Sequence, residues 1–382
     1  MTKDKILHVT AYYPPHLGGQ EVAVQDLVRQ LRSAGREVEV VTSDLGAQKG
    51  LQVEDGVGVS RLGSNEFSHA ALIWGLPYWL LRHTSKHTVV HLHVGQIFTP
   101  EVVWLASRII GFKYIIHLHG DFTPSSAAGR ILPLYKKIFL NRAIRGACAT
   151  VVLNHKHMKE VCTDNPRVKN IQVMSNGITD DFFQVERNPL GAPLRLLFVG
   201  RLSPHKNVAN LLEALAMVDT TLGLDIIGDG ECRQQLESLA HAKELTGVKF
   251  HGRLSRDAIK QFYATCDAFV LPSTVEPQGI VLLEAMACRI PVIVSQASGL
   301  ADTIRDSGII VEPTAEGIAA GIKKFIAMNS SDTEIMVASA FSKVEDLSWN
   351  SLMGSYLDLY EVATARTSDL FHRVSSALSL AS

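Results

Sequence analysis

Two carboxylates, Glu276 and Glu284, stand eight positions apart on either side of a glycine. The apolar run before them, 268–272, is typical of a buried parallel strand. Residues 280–287 are good helix formers, so Gly279 is predicted to lie where a loop enters a helix. Free backbone N–H groups at such a junction favour an anion such as a phosphate. Eight residues make about two helical turns, so both carboxylates can point toward one ligand.

The chemistry of this stretch is narrowed by the charge of the two acids. Ionised carboxylates repel a phosphate, so beside a phosphate site they are expected to bind something else. Sugar hydroxyls fit, because a carboxylate accepts hydrogen bonds and can take two of them at once. The stretch therefore predicts a site that grips a nucleotide sugar.

Two cations follow another apolar strand, 194–199. Arg201 and Lys206 are five positions apart in a loop that precedes a predicted helix beginning at Val208. Cations at the carboxyl end of a strand can neutralise a diphosphate as it becomes a leaving group. The pair thus predicts the phosphate-binding half of the same site.

These motifs carry a resemblance to a known family. The Glu276–Glu284 pair, in the context E-P-x-G-x-x-x-L-E-A-M-A, resembles the E-x7-E signature of the retaining family-4 glycosyltransferases of the GT-B fold. The segment 200–207 resembles that family's G-R-L-x-x-x-K-N element. One departure is Gln278, which stands where the family usually has Phe and leaves the donor sugar open. The resemblance covers residues 5–360, and it is densest in the second half.

The resemblance implies roles for individual residues and no cofactor or metal ion. Arg201 and Lys206 would replace Mg²⁺ at the diphosphate, while Glu276 orients the sugar hydroxyls and Glu284 the ribose. His119 would contact the sugar near its reacting face. The remaining donor-binding residues implied are Gly18 and Gly19 at the diphosphate, Leu254 in the loop that holds the base, and Gln278, Gly279 and Ile280 around the helix start.

Residues 5–42 predict a βαβ unit with a Gly-rich first loop. A strand at 5–10, the Gly18-Gly19 loop, an amphipathic helix closed by Gly35 and a strand at 37–42 follow in order. The Gly pair is not a G-x-G-x-x-G fingerprint, so it is either a plain turn or a close approach to a diphosphate. Further on, His91 and His93 share one sheet face. They suit a metal pair, but no third ligand is placed by sequence, so packing or an acceptor-binding role is favoured.

Composition bounds the remaining possibilities. The chain has 382 residues, 46% hydrophobic and 20% charged, with a formal net charge of −1. This composition fits two ordinary globular domains and makes nucleic acid an unlikely partner. Five irregularly spaced cysteines indicate a reducing compartment, and no signal-peptide stretch opens the sequence. A cytoplasmic enzyme is expected.

Charge is nevertheless unevenly distributed. Residues 67–159 contain eleven Lys or Arg and only two acids, Glu101 and Asp121. Within this region, 129–145 predicts a basic amphipathic helix whose apolar side carries Ile131, Leu134, Tyr135, Ile138 and Phe139. Such a helix suits an anionic bilayer at the cytoplasmic face of the inner membrane or is simply a helix with a solvated basic face. The aromatic run 73–81 is either an interfacial anchor or, more commonly, core.

The sequence thus predicts an α/β protein of GT-B architecture, with two Rossmann-like domains facing across a cleft. The predicted bounds are 1–187 for the acceptor-side domain, 194–346 for the nucleotide-sugar domain, and 347–382 for a helix that crosses back. The expected activity is retaining transfer from a UDP-sugar, in preference to a GDP-sugar, to a saccharide or polyprenyl-diphosphate-linked acceptor in cell-surface polysaccharide or glycolipid biosynthesis. A GT-B nucleotide-sugar epimerase and a non-catalytic nucleotide-sugar-binding partner subunit remain open alternatives.

Overall fold

The computed structural model describes residues 5–16, 18–67, 70–95, 97–120, 132–168, 170–188, 193–218 and 222–364. The chain divides into two compact units, the first made of 1–175 with 352–382 and the second of 176–351. Each is an α/β unit built on a parallel sheet, as the alternating strand and helix patterns predict.

The first unit holds an eight-stranded sheet in the order β10-β9-β8-β7-β1-β2-β4-β3, in which only β3 runs antiparallel. A separate hairpin, β5–β6, accompanies it. The strands are β1 (Lys5–Val9), β2 (Val38–Ser43), β3 (Gly50–Glu54), β4 (Val57–Leu62), β5 (Ser64–Phe67), β6 (Ala70–Ile73), β7 (Thr88–Val94), β8 (Lys113–Leu118), β9 (Ala149–Val152) and β10 (Ile171–Val173).

Helices cover this sheet, and alternation along the strands decides what they meet. One face carries aliphatic side chains such as Leu7, Leu92 and Ile116, which pack in one cluster with Leu80 and Val103 of two helices. The helices are α1 (Gly19–Ser33), α2 (Leu76–His83), α3 (Thr99–Ile110), α4 (Leu132–Tyr135), α5 (Asn141–Gly146) and α6 (His155–Asp164), with a π-helical turn at Lys136–Leu140.

The second unit holds a six-stranded, all-parallel sheet in the order β13-β12-β11-β14-β15-β16. Its strands are short and almost wholly apolar, as expected where both faces are covered. They are β11 (Arg195–Val199), β12 (Gly223–Ile227), β13 (Val248–Gly252), β14 (Ala268–Leu271), β15 (Val292–Ser295) and β16 (Ile309–Val311). The helices are α7 (Asp180–Phe183), α8 (Val208–Ala216), α9 (Arg233–Ala242), α10 (Arg256–Thr265), α11 (Ile280–Ala287), α12 (Ala315–Ala327), α13 (Ser330–Glu345) and α14 (Trp349–Thr364).

The second unit begins at Asn176, whereas the predicted first domain extends to residue 187. The reason is the packing of the short helix α7. Phe182 is fully buried, and its ring meets Tyr263 of α10 edge-on at 6.0 Å between centroids. Gly177 lies against the Trp349 ring so closely that a Cβ there would be 2.4 Å from it. Residues 176–187 therefore fold with the second unit.

Helix α14 begins in the second unit, and its residues from Leu352 onward belong to the first. Tyr360 near its end contacts His91 of β7 through a hydrogen bond of 2.5 Å between Tyr360 Oη and His91 Nδ1. This confirms the predicted return of the last helix to the first domain. No helix among the described residues is long and apolar enough to cross a membrane.

The segment 129–145, predicted as one basic amphipathic helix, has a different distribution of buried and exposed side chains in the structure. Its first residues, 129–131, and the neighbouring Asp121 lie outside the described residues, as do 189–192 of the predicted linker and 365–382 of the predicted crossover segment. From Leu132 the chain is helical, but the π-helical turn at 136–140 rotates the faces. Leu140 and Ile144 are buried, whereas Leu134 and Phe139, predicted on the apolar side, are exposed.

Candidate active site

The order of strands in the second unit marks where a ligand is expected. Chain connections run outward in opposite directions from the neighbours β11 and β14, so the crevice beyond their carboxyl ends is the topological switch point. The loop after β11 carries Arg201 and Lys206, and the loop after β14 carries Glu276 and Gly279. The two motifs recognised in the sequence therefore meet at the position where open α/β sheets bind ligands.

Backbone hydrogen bonds fix the loops at this edge. Leu202 N–H donates to the Asp229 carbonyl at 3.0 Å, and Gly228 N–H donates to the Gly252 carbonyl at 2.8 Å. Side chains are excluded from the contact, because a Cβ on Gly228 would lie 1.9 Å from the Gly200 carbonyl oxygen. The glycines let three loops stack without a gap, which holds the Arg201 loop rigidly.

Lys206 and Glu276 form an ion pair across 70 residues of sequence. The Lys206 ammonium donates to Glu276 Oε2, and Ser273 Oγ approaches the same oxygen at 3.5 Å. Glu276 is 8% exposed, so its charge is held in a largely dry setting. Arg201 is exposed, and its guanidinium makes no hydrogen bond or ion pair with any other described residue. A paired cation and a cation without a partner thus lie in one loop.

The predicted loop-to-helix junction is confirmed. Gly279 has a φ of +78° and precedes α11, which has no side-chain cap at its start. A Cβ at Gly279 would lie 3.2 Å from Glu276 Cγ, so the junction and the carboxylate are in contact. The first N–H groups of α11 have no acceptor within the helix, and Ile280, buried in the core, anchors this end.

Arg256 and Tyr263 are partners of Glu284 that the sequence did not identify. Arg256 Nε donates to Glu284 Oε1 at 3.2 Å, and the Tyr263 hydroxyl donates to Oε2 at 3.1 Å. Burial first, and the nearby carboxylate second, raise the pKa of Tyr263 well above its usual value. Arg256 also lies over the Phe182 ring at 4.8 Å. Arg256 is therefore a partner of Glu284 rather than a freely projecting cation.

Two further predicted donor residues are placed as follows. Gln278 is 2% exposed, and its Oε1 accepts a hydrogen bond of 3.0 Å from the backbone N–H of Asn176. The amide that replaces the family's Phe thus ties the motif to the first residue of the second unit. Leu254 is half-buried in the loop between β13 and α10, next to Ser255, which caps α10.

The first unit contains the other predicted donor residues, Gly18, Gly19 and His119. Gly18 precedes α1, and a Cβ on it would lie 2.3 Å from Glu21 Oε2, whereas Gly19 has nothing within 4 Å. Glu21 is buried, and its Oε1 lies 3.0 Å from His16 Nδ1. A carboxylate therefore already occupies the positive start of α1 beside Gly18, which is a favourable place for it.

His119 belongs to a larger cluster, which we name the histidine ladder. Strand alternation and register put its five imidazoles on one sheet face, with His8 opposite His91 and His93 opposite His117. His93 is the hub, because its Nε2 lies 2.8 Å from His8 Nδ1 and its Nδ1 lies 2.9 Å from His119 Nε2. The members of the ladder are His8, His91, His93, His117 and His119.

Burial sets the charge of the ladder. Loss of hydration is the largest cause in every case, and it lowers the pKa of His8 and of His119 to about 3. It also lowers the pKa of His91, His93 and His117 well below the usual value, with the neighbouring imidazoles adding to the effect. The five rings are therefore neutral at pH 7.

His8 and His117 are members of the ladder that the sequence did not single out. A signal for His117 was available, since histidine recurs at alternate positions in β7 and again at 117 and 119, at the end of β8. What sequence could not supply was the pairing of β1 with β7, which brings His8 beside His91 and His93. The third histidine that the H-x-H pair lacked is thus provided by neighbouring strands.

Comparison with known proteins places these two units in a family. Residues 180–340 match the family described as glycosyl transferases group 1, and residues 18–177 match the glycosyl transferase 4-like domain. An uncharacterized glycosyltransferase of Methanocaldococcus jannaschii is 29% identical over 94% of this chain and 98% of its own length. The GDP-mannose:cellobiosyl-diphosphopolyprenol alpha-mannosyltransferase of Xanthomonas campestris is 24% identical over 96% and 99%.

Solved structures agree on the fold. Sucrose-phosphate synthase from Thermosynechococcus elongatus superimposes with a TM-score of 0.79 at 20% identity, over 94% of this chain and 98% of its own. HepE from Anabaena, in complex with UDP and glucose, gives 0.75 at 19% identity over 94% and 99%. The motifs after β11 and β14, the two family matches and these folds lead to one conclusion. The chain is a GT-B glycosyltransferase of the family-4 type, with a glycosyl transferase 4-like domain followed by a glycosyl transferases group 1 domain.

Proposed function

We propose that this chain is a retaining glycosyltransferase that takes a sugar from a UDP-sugar and needs no metal ion to do so. The observation that carries the proposal is the meeting of Arg201, the Lys206–Glu276 pair and the uncapped start of α11 at the switch point of the second unit. These groups supply what a sugar diphosphate requires: two cations, backbone N–H donors and one carboxylate.

Each group has a definite task in this proposal. Arg201 and Lys206 neutralise the diphosphate, and the start of α11 beside Gly279 binds one of its phosphates. When the donor binds, Glu276 separates from Lys206, and its carboxylate accepts hydrogen bonds from the sugar hydroxyls. Glu284 binds the ribose. Arg201 stabilises the charge that develops on the leaving group, and the released phosphate assists deprotonation of the acceptor. The roles of His119 at the sugar, Gly18 and Gly19 at the diphosphate, and Leu254 at the base stay predictions from the resemblance.

The choice of UDP rests on chemistry at the base-binding loop. Arg256 follows Leu254 and Ser255, where an acid would be expected to help read guanine, and it pairs with Glu284. HepE, a neighbour in fold, binds UDP, whereas the Xanthomonas relative uses GDP-mannose by name. The two nucleotides are therefore the alternatives that an experiment must separate.

A thermal-shift panel with UDP, GDP, ADP and NAD in the presence of EDTA tests the donor and the metal requirement together. A ligand at 100 times its Kd stabilises the folded state by about 2.7 kcal/mol, which corresponds to several degrees in Tm. We expect a shift with UDP and little with the others. A shift with GDP alone reverses the nucleotide assignment, and a shift that requires Mg²⁺ contradicts metal independence.

For the acceptor, we propose a saccharide carried by polyprenyl diphosphate at an anionic membrane surface. The support is a surface on the first unit where apolar side chains of α2, α3 and the adjoining 132–145 segment alternate with cations. Trp74 and Tyr78, from the aromatic run, are 65% and 64% exposed, while Trp79 is core. The other exposed apolar residues of this surface are Leu81, Leu105, Ile109, Leu134 and Phe139, and its cations are Arg82, Arg108, Lys136, Lys137, Arg142 and Arg145.

Vesicle co-sedimentation tests the membrane contact. We expect binding to vesicles that contain anionic lipid, little to neutral vesicles, and loss of binding in Trp74→Ser or in the double variant Lys136→Glu with Lys137→Glu. The matched control is Leu51→Ser, because Leu51 is 72% exposed on β3 at the edge of the same sheet. Equal binding to both kinds of vesicle, or equal loss with Leu51→Ser, would assign the cations to a solvated face.

A further inference from the structure

The histidine ladder contains more buried nitrogen than its hydrogen bonds use. Neither nitrogen of His117 has a hydrogen-bond partner among the described residues, and the same holds for His119 Nδ1. A neutral imidazole carries one N–H donor and one bare acceptor nitrogen. Leaving such groups buried without a partner is unfavourable. The ladder therefore calls for a ligand that imidazole nitrogens can bind.

Three of the rings are close enough to share one ligand. His93, His117 and His119 each offer a ring nitrogen, and these nitrogens lie within 4.8 Å of one another. Nitrogens bound to one tetrahedral Zn²⁺ are about 3.4 Å apart, since each Zn–N bond is about 2.1 Å. Small rotations of the three side chains span the difference. No hydrogen bond to a described residue holds the His117 ring in its present orientation.

We propose that His93, His117 and His119 form a binding site for a divalent transition-metal ion in the first unit. The site is distinct from the diphosphate groups of the second unit. It uses His119 through Nε2, which faces His93, and leaves His119 Nδ1 for the predicted contact with the sugar. Imidazole is a ligand for Zn²⁺, Co²⁺, Ni²⁺ and Cu²⁺, whereas Mg²⁺ and Ca²⁺ prefer oxygen. All three proposed ligands are ring nitrogens, which favours the first group of ions over Mg²⁺ and Ca²⁺.

A fourth histidine supports the trio from behind. Metal-binding histidines usually hydrogen-bond through the nitrogen that does not face the metal, and this bond sets the tautomer. His8 Nδ1 lies 2.8 Å from His93 Nε2, so it can accept a hydrogen bond from an N–H at that nitrogen. In this tautomer His93 Nδ1 carries no proton. That bare nitrogen faces His119 Nε2 at 2.9 Å, where the metal ion would replace a shared proton.

Isothermal titration of the full chain with Zn²⁺ tests the site, with His117→Phe as the diagnostic variant. Phenylalanine keeps a ring of similar size but has no ligand atom. We expect one tightly bound ion in the wild type and binding at least about 100-fold weaker in His117→Phe. The matched control is His91→Phe, since His91 is equally buried and stacks on His93 but lies outside the trio. This control should change affinity by less than about threefold.

The outcomes are separable. No stoichiometric zinc in the wild type, or the same affinity in His117→Phe, overturns the proposal. Loss of zinc in His91→Phe but not in His117→Phe also overturns it, because the ion would then lie at the alternative trio of His8, His91 and His93. If His117→Phe does not fold, X-ray absorption on zinc-loaded wild type decides: three imidazoles at about 2.0–2.1 Å support the site, and fewer contradict it.

Discussion

In the second unit the carboxylates near the carboxyl ends of the strands are paired with cations, whereas in the first unit the polar side chains at this position are five neutral imidazoles. Lys206 faces Glu276, and Arg256 faces Glu284. The ladder, from His8 to His119, has no carboxylate among its hydrogen-bond partners in the described part of the chain. One sheet end is thus equipped for a highly charged ligand, and the other for ligands that bind uncharged nitrogen.

The difference follows from how each unit compensates for burial. A buried charge is tolerated when a partner lies at hydrogen-bond distance, so the second unit can bury carboxylates beside the groups proposed to bind phosphate. A buried histidine escapes the same cost by losing its proton. The second unit therefore keeps its buried groups ionised in pairs, whereas the first unit keeps its buried imidazoles neutral. The two units should respond differently to substitution and to pH.

The largest expected effect comes from removing Arg201, the cation without a partner among the described residues. Arg201→Ala should raise the barrier to transfer by about 2–4 kcal/mol, as loss of an electrostatic stabiliser does in other enzymes. This corresponds to a fall in kcat of roughly 30- to 1,000-fold. Steady-state transfer with the donor identified by the thermal-shift panel measures it.

The control for this prediction is Lys324→Ala, which removes an exposed cation from α12 of the same unit. It should leave kcat within about twofold, because an exposed charge away from the chemistry contributes little. Turnover of Arg201→Ala close to that of Lys324→Ala would remove Arg201 from the site.

Acid should weaken the first sheet more than the second. The pKa of His8 and of His119 is about 3 in the folded chain and about 6.5 when unfolded, so between these values the unfolded chain binds more protons. Stability from these groups is complete above pH 6.5 and is lost as the pH falls toward 3. At pH 5 the loss is about 2 kcal/mol for each imidazole.

Hydrogen exchange measured strand by strand at pH 7 and pH 5, corrected for intrinsic exchange rates, tests this difference. Protection of β1, β7 and β8 should fall, while that of β11 and β12 should change little. The variant His8→Phe should show a smaller acid loss than wild type because one titrating ring is gone. An equal loss of protection in both sheets would contradict the account of the ladder.

A smaller effect is expected from the pair beside the predicted ribose position. Arg256→Ala leaves Glu284 with Tyr263 but without its cation, in a setting where Glu284 is 5% exposed. We expect a loss of stability of roughly 1–3 kcal/mol, below the full penalty for a deeply buried pair because Arg256 is partly exposed. Differential scanning calorimetry measures this loss as a fall in the Tm of the unit that contains the pair.

The matched control is Arg233→Ala, which breaks the solvent-exposed pair of Arg233 with Glu237 on α9. Exposed pairs of this spacing contribute little to stability, so Tm should change by no more than about 2 °C. If both variants lower Tm equally, the Arg256–Glu284 pair is no more than a surface contact.

Much of the fold was available from local sequence patterns. Apolar runs ending at Val199 and Pro272, followed by helix formers, predicted the strands and helices of the second unit, and the junction at Gly279 was confirmed. Alternation along 5–10 and 89–93 predicted β1 and β7. Local patterns succeed here because strand and helix periods are properties of consecutive residues.

Other features needed distances between residues remote in sequence. The partner of Lys206 is 70 positions away, that of Glu284 is 28 away, and Tyr360 reaches His91 across 269. Gln278 could be recognised as a departure from the family, but its bond to Asn176 could not. The π-helical turn at 136–140 moved Leu134 and Phe139 off the expected face.

The sequence by itself identified the family, and it predicted the two motifs and the residues suited to bind a nucleotide sugar, because each motif is contiguous and its chemistry depends on residue type and spacing. Only the tertiary structure decided which charges are paired and which are free, where the units divide, and that five histidines from three strands share one buried face. Strand order and register fix those pairings, and they arise from packing of the whole chain rather than from any local pattern.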